Sequence, residues 1–269
     1  MVNEFLHTFL LVTAFAVALM AAIWALALQI NNLGIVDIAW SGAFAPIAVF
    51  CALTLHGNPA RRWLIAGMVV LWSLRLATHI GVRVAAHHPQ EDARYSEIRA
   101  QWKSCCQWKL LLFFEMQAGL IAILSIPFLL GCLNAEPRIS PQEYAGAALW
   151  LVAVAGETIA DQQLKQFRAN PKNRGQVCFA GLWNFSRHPN YFFEWLVWVG
   201  FYFFALGSPL GCATIYCPAL MLYFLLRVTG IPLTEKLSVQ SKGDAYREYQ
   251  RTTSAFVPWF KKAPQAKRN

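Results

Sequence analysis

The chain has 269 residues, 57% of them hydrophobic and only 14% charged, with 23 Lys and Arg against 14 Asp and Glu and a formal net charge of +9. Soluble domains carry about 25% charged residues, so there are too few charges here to cover a water-facing surface. The positive surplus raises the question of a nucleic-acid partner, and the placement of the charges excludes one.

A helix that crosses a bilayer needs about 20 mostly apolar residues. Seven runs meet or approach that length, at roughly 5–29, 34–56, 63–86, 109–132, 141–162, 190–207 and 210–230. The pattern predicts an all-α polytopic membrane protein, a seven-transmembrane-helix bundle forming one integral-membrane domain over 1–269. The first run is too long for a typical signal peptide and lacks a basic segment in front of it, so it reads as a retained helix. The second opens beside Asp37, with Trp40 about one turn later. The third contains Trp72 and carries Arg75, His79 and Arg83 at i, i+4 and i+8, one stripe on one face. The fifth carries Glu157, Asp161, Lys165 and Arg168 in a second stripe that starts at membrane depth and runs out of it. The sixth opens on SRHPNYFFEW (186–195), which places Arg187, His188 and Asn190 ahead of an apolar run and Glu194 inside it. The seventh ends at Arg227. Beyond it, GDAYREYQRTTSAFVPWF alternates charge and aromatics. This stretch predicts a short amphipathic helix over 244–260, lying in the interface with Trp259 and Phe260 at headgroup level.

The basic loops are asymmetric. Arg61, Arg62 and Arg138 fall on one side. Arg94, Arg99, Lys103, Lys165, Arg168, Lys172, Arg174, Arg187 and the tail from Lys236 to Arg268 fall on the other. This positive-inside pattern predicts a cytoplasmic C-terminus and, with seven spans, an external N-terminus. The surplus charge is then topology and attraction to anionic headgroups. Seven cysteines show no metal-ligand spacing, and reduced structural thiols are expected. No metal is expected.

Ionisable residues at membrane depth are costly and usually face a cavity, a partner or a substrate path. Two readings stand. The stripes pair with one another as structural ion pairs or snorkel to the interface; or several helices aim charge at one chamber open to the cytoplasm. In the second reading, guanidinium groups suit phosphate oxygens. The start of the sixth span favours anions, and Asp161, Asn190 and Glu194 are acceptors for amide or ribose protons. A phosphate-bearing nucleotide fits both sets. Neither a G-x-G-x-x-G turn between strand and helix nor a P-loop is present, so a Rossmann or Walker site is excluded.

GLWNFSRHPNYFFEW (181–195), LWSLRLATH (71–79), EDARY (91–95) and DAYREYQRTTSAFVPWF (244–260) together resemble the steroid 5α-reductase family in its bacterial membrane branch, over nearly all of the chain after residue 30. The resemblance implies a seven-helix membrane reductase that binds NADPH in a cytoplasm-facing cavity and reduces the C4–C5 double bond of 3-oxo-Δ4-steroids. It implies that Asn190 and Glu194 hold the nicotinamide end of the cofactor. It assigns Asp161, Lys165 and Arg168 to the nucleotide and Arg227 to the phosphates. Arg75, Arg83, Asp92, Arg94, Tyr95, Arg187, His188, Glu235 and Tyr246 are further candidate cofactor contacts. In the family's animal enzymes a second-span glutamate and a third-span tyrosine bond the steroid ketone. Spacing puts Asp37 at the glutamate and Trp72, which has no hydroxyl, at the tyrosine. Glu235 stands where those enzymes have another tyrosine. Asp37 is therefore the candidate catalytic residue, with a helix-start cap or a partner for Arg75 as its plain alternative. Trp40, Trp72 and His79 are candidate contacts to a lipophilic steroid-like substrate, and packing is the plain alternative for the tryptophans. A monomer in a bacterial inner membrane, rather than in the endoplasmic reticulum, is expected.

The chief rival is a membrane methyltransferase of the isoprenylcysteine type using S-adenosylmethionine, which shares the RHPxY helix start. That family usually carries a Glu-Glu pair after its last span, where this chain has only Glu235. A transporter or lipid-binding scaffold is the non-enzymatic alternative, and the inverted repeats of many transporters are not seen in the sequence.

Overall fold

The structure is a computed structural model that describes residues 2–87, 89–92, 95–97, 99, 106–228 and 230–261. The chain divides into two compact units, Met1–Tyr144 with Phe204–Thr214, and Ala145–Phe203 with Ile215–Asn269. The helices are α1 (Val2–Gln29), α2 (Ile35–Thr54), α3 (Pro59–His87), α4 (Cys106–Leu124), α5 (Ile126–Leu133), α6 (Pro141–Ala169), α7 (Pro189–Ala205), α8 (Tyr216–Tyr223), α9 (Ile231–Lys242) and α10 (Asp244–Thr252). Among the described residues the only β pairing is an isolated bridge between Ser186 and Ser254.

The protein is all-α, with several long apolar helices that mark a polytopic membrane protein. Among the described residues five segments, rather than the expected seven, are long and apolar enough to cross a bilayer: Val2–Gln29, Ile35–Thr54, Pro59–Ala86, Gln107–Leu133 and Gly211–Lys242. The expected spans 141–162 and 190–207 do not qualify. In α6 the residues Glu143, Glu157, Asp161, Lys165 and Arg168 dilute the apolar run. Helix α7 is 17 residues long, short of the roughly 20 that cross the hydrocarbon.

In the first unit, α2 and α3 form the most extensive helix pair. Pro46 sits inside α2, where its ring removes a backbone donor and disturbs the ladder. Ser73 of α3 inserts into the neighbouring rung of the ladder, between Ala45 and Ser41. Its hydroxyl accepts from the Ala45 N–H at 3.1 Å and donates to the Ser41 carbonyl at 2.5 Å. An inserted side chain of this kind is a recognised cause of helix bending. Phe44 anchors the core beside it, edge-on to Trp40 and Phe128 and tilted against Trp72. Helix α3 starts earlier than the expected residue 63, because Asn58 accepts from the N–H groups of Ala60 and Arg61 and caps it. The expected fourth span is broken into α4 and α5, since Pro127 cannot continue the ladder of α4.

Arg61 was expected in a loop outside the spans. It is fully buried, as is Glu143, and the two form an ion pair. The guanidinium also donates to the carbonyls of Asn134, Glu136 and Arg138 at 3.0, 2.7 and 2.6 Å. Glu143 in turn accepts from the Ser140 N–H at 2.7 Å, while Ser140 Oγ accepts from the Glu143 N–H at 3.3 Å. This reciprocal pair is a capping box that starts α6.

The second unit is built on α6 from residue 145, α7 up to Phe203, and α8 to α10. Close approach of α6 and α7 requires two glycines. A Cβ on Gly156 would sit 2.4 Å from the Phe193 ring, and one on Gly200 would sit 2.9 Å from the backbone of Trp150. The expected amphipathic helix over 244–260 stops at Thr252, because Thr253 turns extended at φ −119°, ψ 140°. From there the backbone runs beside residues 185–187: Ser254 O accepts from Arg187 N at 2.9 Å, and Trp259 N donates to Phe185 O at 3.0 Å.

Removing one partner of a fully buried ion pair leaves the other charge stranded, at a typical cost of about 3–5 kcal/mol. Glu143→Leu is expected to lower the thermal unfolding midpoint sharply. The double variant Arg61→Met with Glu143→Leu is expected to recover a large part of that loss, as read by circular dichroism in detergent.

Candidate functional site

The second unit holds two clusters of candidate residues. The first lies where α7 faces α6. Asp161 and Glu194 are buried, at 7% and 8% exposure, and Asn190 is half-buried. Asn190 Nδ2 donates to Asp161 Oδ1 at 3.3 Å, which leaves the Asn190 carbonyl as an acceptor. Glu194 Oε1 accepts from the Trp198 indole N–H, one turn along the helix, at 3.1 Å. Two contacts hold the preceding segment against α6: the Trp183 indole N–H donates to Ala160 O at 2.9 Å, and Leu182 N donates to Gln163 Oε1 at 2.9 Å. Gly181 makes this possible with φ +52° and no side chain to strike Gln163. Lys165 and Arg168 are exposed on the continuation of α6, and Arg227 is exposed in the π-helical turn Phe224–Val228 that follows α8.

The second cluster is a polar knot around Arg187. Its Nε donates to Glu235 Oε1 at 2.6 Å, and its Nη1 donates to the carbonyls of Gln250 and Thr253 at 2.9 and 2.6 Å. Gln250 Nε2 donates to the other oxygen of Glu235 at 2.9 Å. His188 Nε2 lies 3.3 Å from Glu235 Oε1, and its ring stacks on Tyr191. Ser186 adds a tie to the tail, donating from Oγ to Phe256 O at 2.8 Å. Tyr249 donates to the carbonyls of Trp183 and Ser186. Tyr246 is buried beside them. Burial, then the negative charge of Glu235, push its hydroxyl up to about 12, against an opposing influence from Arg187. Arg187 is thus already committed to a carboxylate and two carbonyls, and Glu235 is its counter-ion.

The remaining candidates belong to the first unit. Tyr95 donates from its hydroxyl to Asp37 Oδ1 at 2.6 Å. Two acidic residues place Tyr95. Asp92 O accepts from the N–H groups of Tyr95 and Ser96 at 2.9 and 3.1 Å. Glu91 accepts from Leu33 N at 2.7 Å and from Arg99, joining this segment to the turn before α2. Trp72 is fully buried against Phe44, while Trp40, Arg75 and His79 are half-buried and Arg83 is exposed. Arg94 lies outside the described residues. The sequence reading missed Glu91 and Gln250 as positioning groups. Glu91 lies in the EDARY motif, but its partner Leu33 is 58 residues away. Nothing local marks Gln250 as a ligand of Glu235. No three His, Cys, Asp or Glu side chains are grouped to hold a metal among the described residues.

His188 is buried, and burial pulls its imidazole below the ordinary 6.5, although the hydrogen bond to Glu235 opposes this. The unfolded chain therefore binds the proton more readily than the folded one. Stability is expected to be full above about pH 6.5 and to fall as the pH drops through the folded value. His188→Gln is expected to flatten that slope in thermal unfolding scans at stepped pH.

A family described as "Protein of unknown function (DUF1295)" matches residues 23–253. An uncharacterised protein of Schizosaccharomyces pombe is 25% identical over 270 residues, covering 88% of this chain and 75% of its own length. No solved structure matches the chain.

Proposed function

The chain belongs to the DUF1295 family, and on that premise we propose that it is an NADPH-dependent membrane reductase of 3-oxo-Δ4-steroids or similar lipophilic enones. The resemblance to steroid 5α-reductases supports the reading. The observation that carries it is the hydrogen bond between Asn190 and buried Asp161, from two helices, with buried Glu194 one turn beyond Asn190 and with Lys165 and Arg168 exposed on the same helix as Asp161. This donor and acceptor set fits a nicotinamide dinucleotide. Buried carboxylate and amide oxygens accept carboxamide and ribose protons, and exposed cations meet phosphate oxygens. In this reading Asn190 and Glu194 hold the nicotinamide end, Asp161 holds Asn190, and Lys165, Arg168 and Arg227 face the phosphates. Arg187, His188, Glu235 and Tyr246 fix the start of α7 instead of contacting the cofactor. When bound, NADPH supplies hydride to the β-carbon of the enone.

The ketone oxygen gains negative charge as that carbon is reduced, and a preorganised donor aimed at it lowers the barrier. Asp37 and the Tyr95 hydroxyl share a short hydrogen bond, so this pair holds a proton that a ketone oxygen beside it can accept. Tyr95 supplies the hydroxyl that Trp72 lacks. The proton lent to the ketone oxygen returns to the Asp37–Tyr95 pair as the ketone re-forms, and water delivers the one proton that the reduction consumes, to the α-carbon. A membrane-embedded helical bundle, with the N-terminus outside and a cytoplasmic C-terminus in a bacterial inner membrane, completes the proposal. The asymmetric basic loops support that topology.

Purified protein incubated with NADPH and a 3-oxo-Δ4-steroid is expected to yield a product two mass units heavier. Tyr95→Phe and Asp37→Asn are each expected to lower kcat by roughly 100-fold or more, and unchanged turnover in both would discard the carbonyl assignment. Saturable quenching of tryptophan fluorescence by S-adenosylmethionine, with none by NADPH, would move the chain to the methyltransferase class.

A further inference from the structure

Next to the Arg187 knot, and entirely within the second unit, is a cavity of about 400 Å³ whose lining includes Arg187, Arg251, Thr253, Ser254, Trp259 and Phe260. Thr253 is 4% exposed, and its buried hydroxyl has no hydrogen-bond partner among the described residues. A buried hydroxyl without a partner carries a desolvation penalty that a ligand oxygen can relieve. Guanidinium groups share the same wall. The charge of Arg187 is largely balanced by Glu235. Arg251 leans on Glu248 at 2.6 Å, but both side chains are more than half exposed, so solvent and salt keep that pair weak. Hydroxyl and guanidinium donors at one wall suit a phosphate.

The rim is apolar and faces outward. Trp259 and Phe260 are 67% and 77% exposed, and Val257 and Phe185 are exposed beside them. Phe260 lies edge-on to Phe185 at 6.4 Å, and the Lys261 ammonium sits 4.6 Å above the Phe179 ring. Exposed aromatics mixed with basic groups, in a chain with several bilayer-length apolar segments, have the composition of a headgroup-level anchor. Apart from Arg187, which the proposed function gives to the start of α7, none of the candidate cofactor residues lines this cavity.

We propose that the cavity binds the phosphate of an anionic phospholipid, with Thr253 and Arg251 as donors, while the acyl chains run along Trp259 and Phe260. A free phosphate would use the donors and leave the aromatic rim idle, and the rim is what assigns the site to a lipid.

The test is native mass spectrometry of the full chain in detergent, titrated with phosphatidylglycerol, with phosphatidylcholine and with inorganic phosphate. Phosphatidylglycerol is expected to be retained in preference to phosphatidylcholine. Arg251→Gln is expected to weaken that retention roughly fivefold, and Trp259→Ala with Phe260→Ala is expected to weaken retention of the lipid. Thr253→Val is expected to lower retention while leaving the thermal midpoint unchanged or raised, because the hydroxyl it removes has no partner to lose. Equal retention of the two lipids, or a preference untouched by Arg251→Gln and Thr253→Val, overturns the proposal. Saturable binding of inorganic phosphate that displaces phosphatidylglycerol, and is indifferent to the aromatic substitutions, overturns the lipid assignment. None of these readouts depends on reductase activity.

Discussion

The ion pair between Arg187 and Glu235 governs the second unit. It joins four pieces of chain: the entry to α7, helix α9, the end of α10 through Gln250, and the extended tail through the Thr253 carbonyl. A guanidinium at 9% exposure pays a large desolvation penalty, which only a carboxylate and further acceptors can offset. The partners are at hydrogen-bond distance and cannot shift far without stranding a charge. The direction in which α7 leaves this knot, and hence where Asn190 and Glu194 sit one turn and two turns later, follows from that constraint.

The knot also divides the basic residues by task. Arg187 is occupied and serves architecture, while Lys165, Arg168 and Arg227 are exposed. Composition alone treats all four as equivalent cations. A reductase reading needs both kinds, because a phosphate-binding residue must be reachable and the helix that presents the nicotinamide-binding pair must be fixed. Asp161 shows the same division: it accepts from Asn190 and so orients the side chain that the proposed function gives to the cofactor.

The first unit obeys the related rule that polar groups removed from water must find partners. Ser73 bridges the Ala45 N–H and the Ser41 carbonyl beside Pro46, and the Arg61 guanidinium is surrounded by a carboxylate and three carbonyls. Glu91 and Asp92 hold Tyr95 so that its hydroxyl reaches Asp37. In each case a side chain that composition would place in a loop or a ladder gains its meaning from a partner distant in sequence.

Composition and hydropathy alone determined that this is an all-α protein with long apolar helices, because a helix in hydrocarbon must satisfy its backbone internally and carry apolar side chains throughout. Periodicity alone put Asp161, Lys165 and Arg168 on one face of a helix, since 3.6 residues per turn leaves no other arrangement. Only the tertiary structure decided that Arg61 is buried, that Arg187 belongs to Glu235, that Tyr95 meets Asp37, and that the tail leaves helix at Thr252 to run beside residues 185–187. A charge takes its role from whatever neutralises it, and those partners are brought near by chain folding over separations of 48 to 82 residues, far beyond the reach of any local pattern.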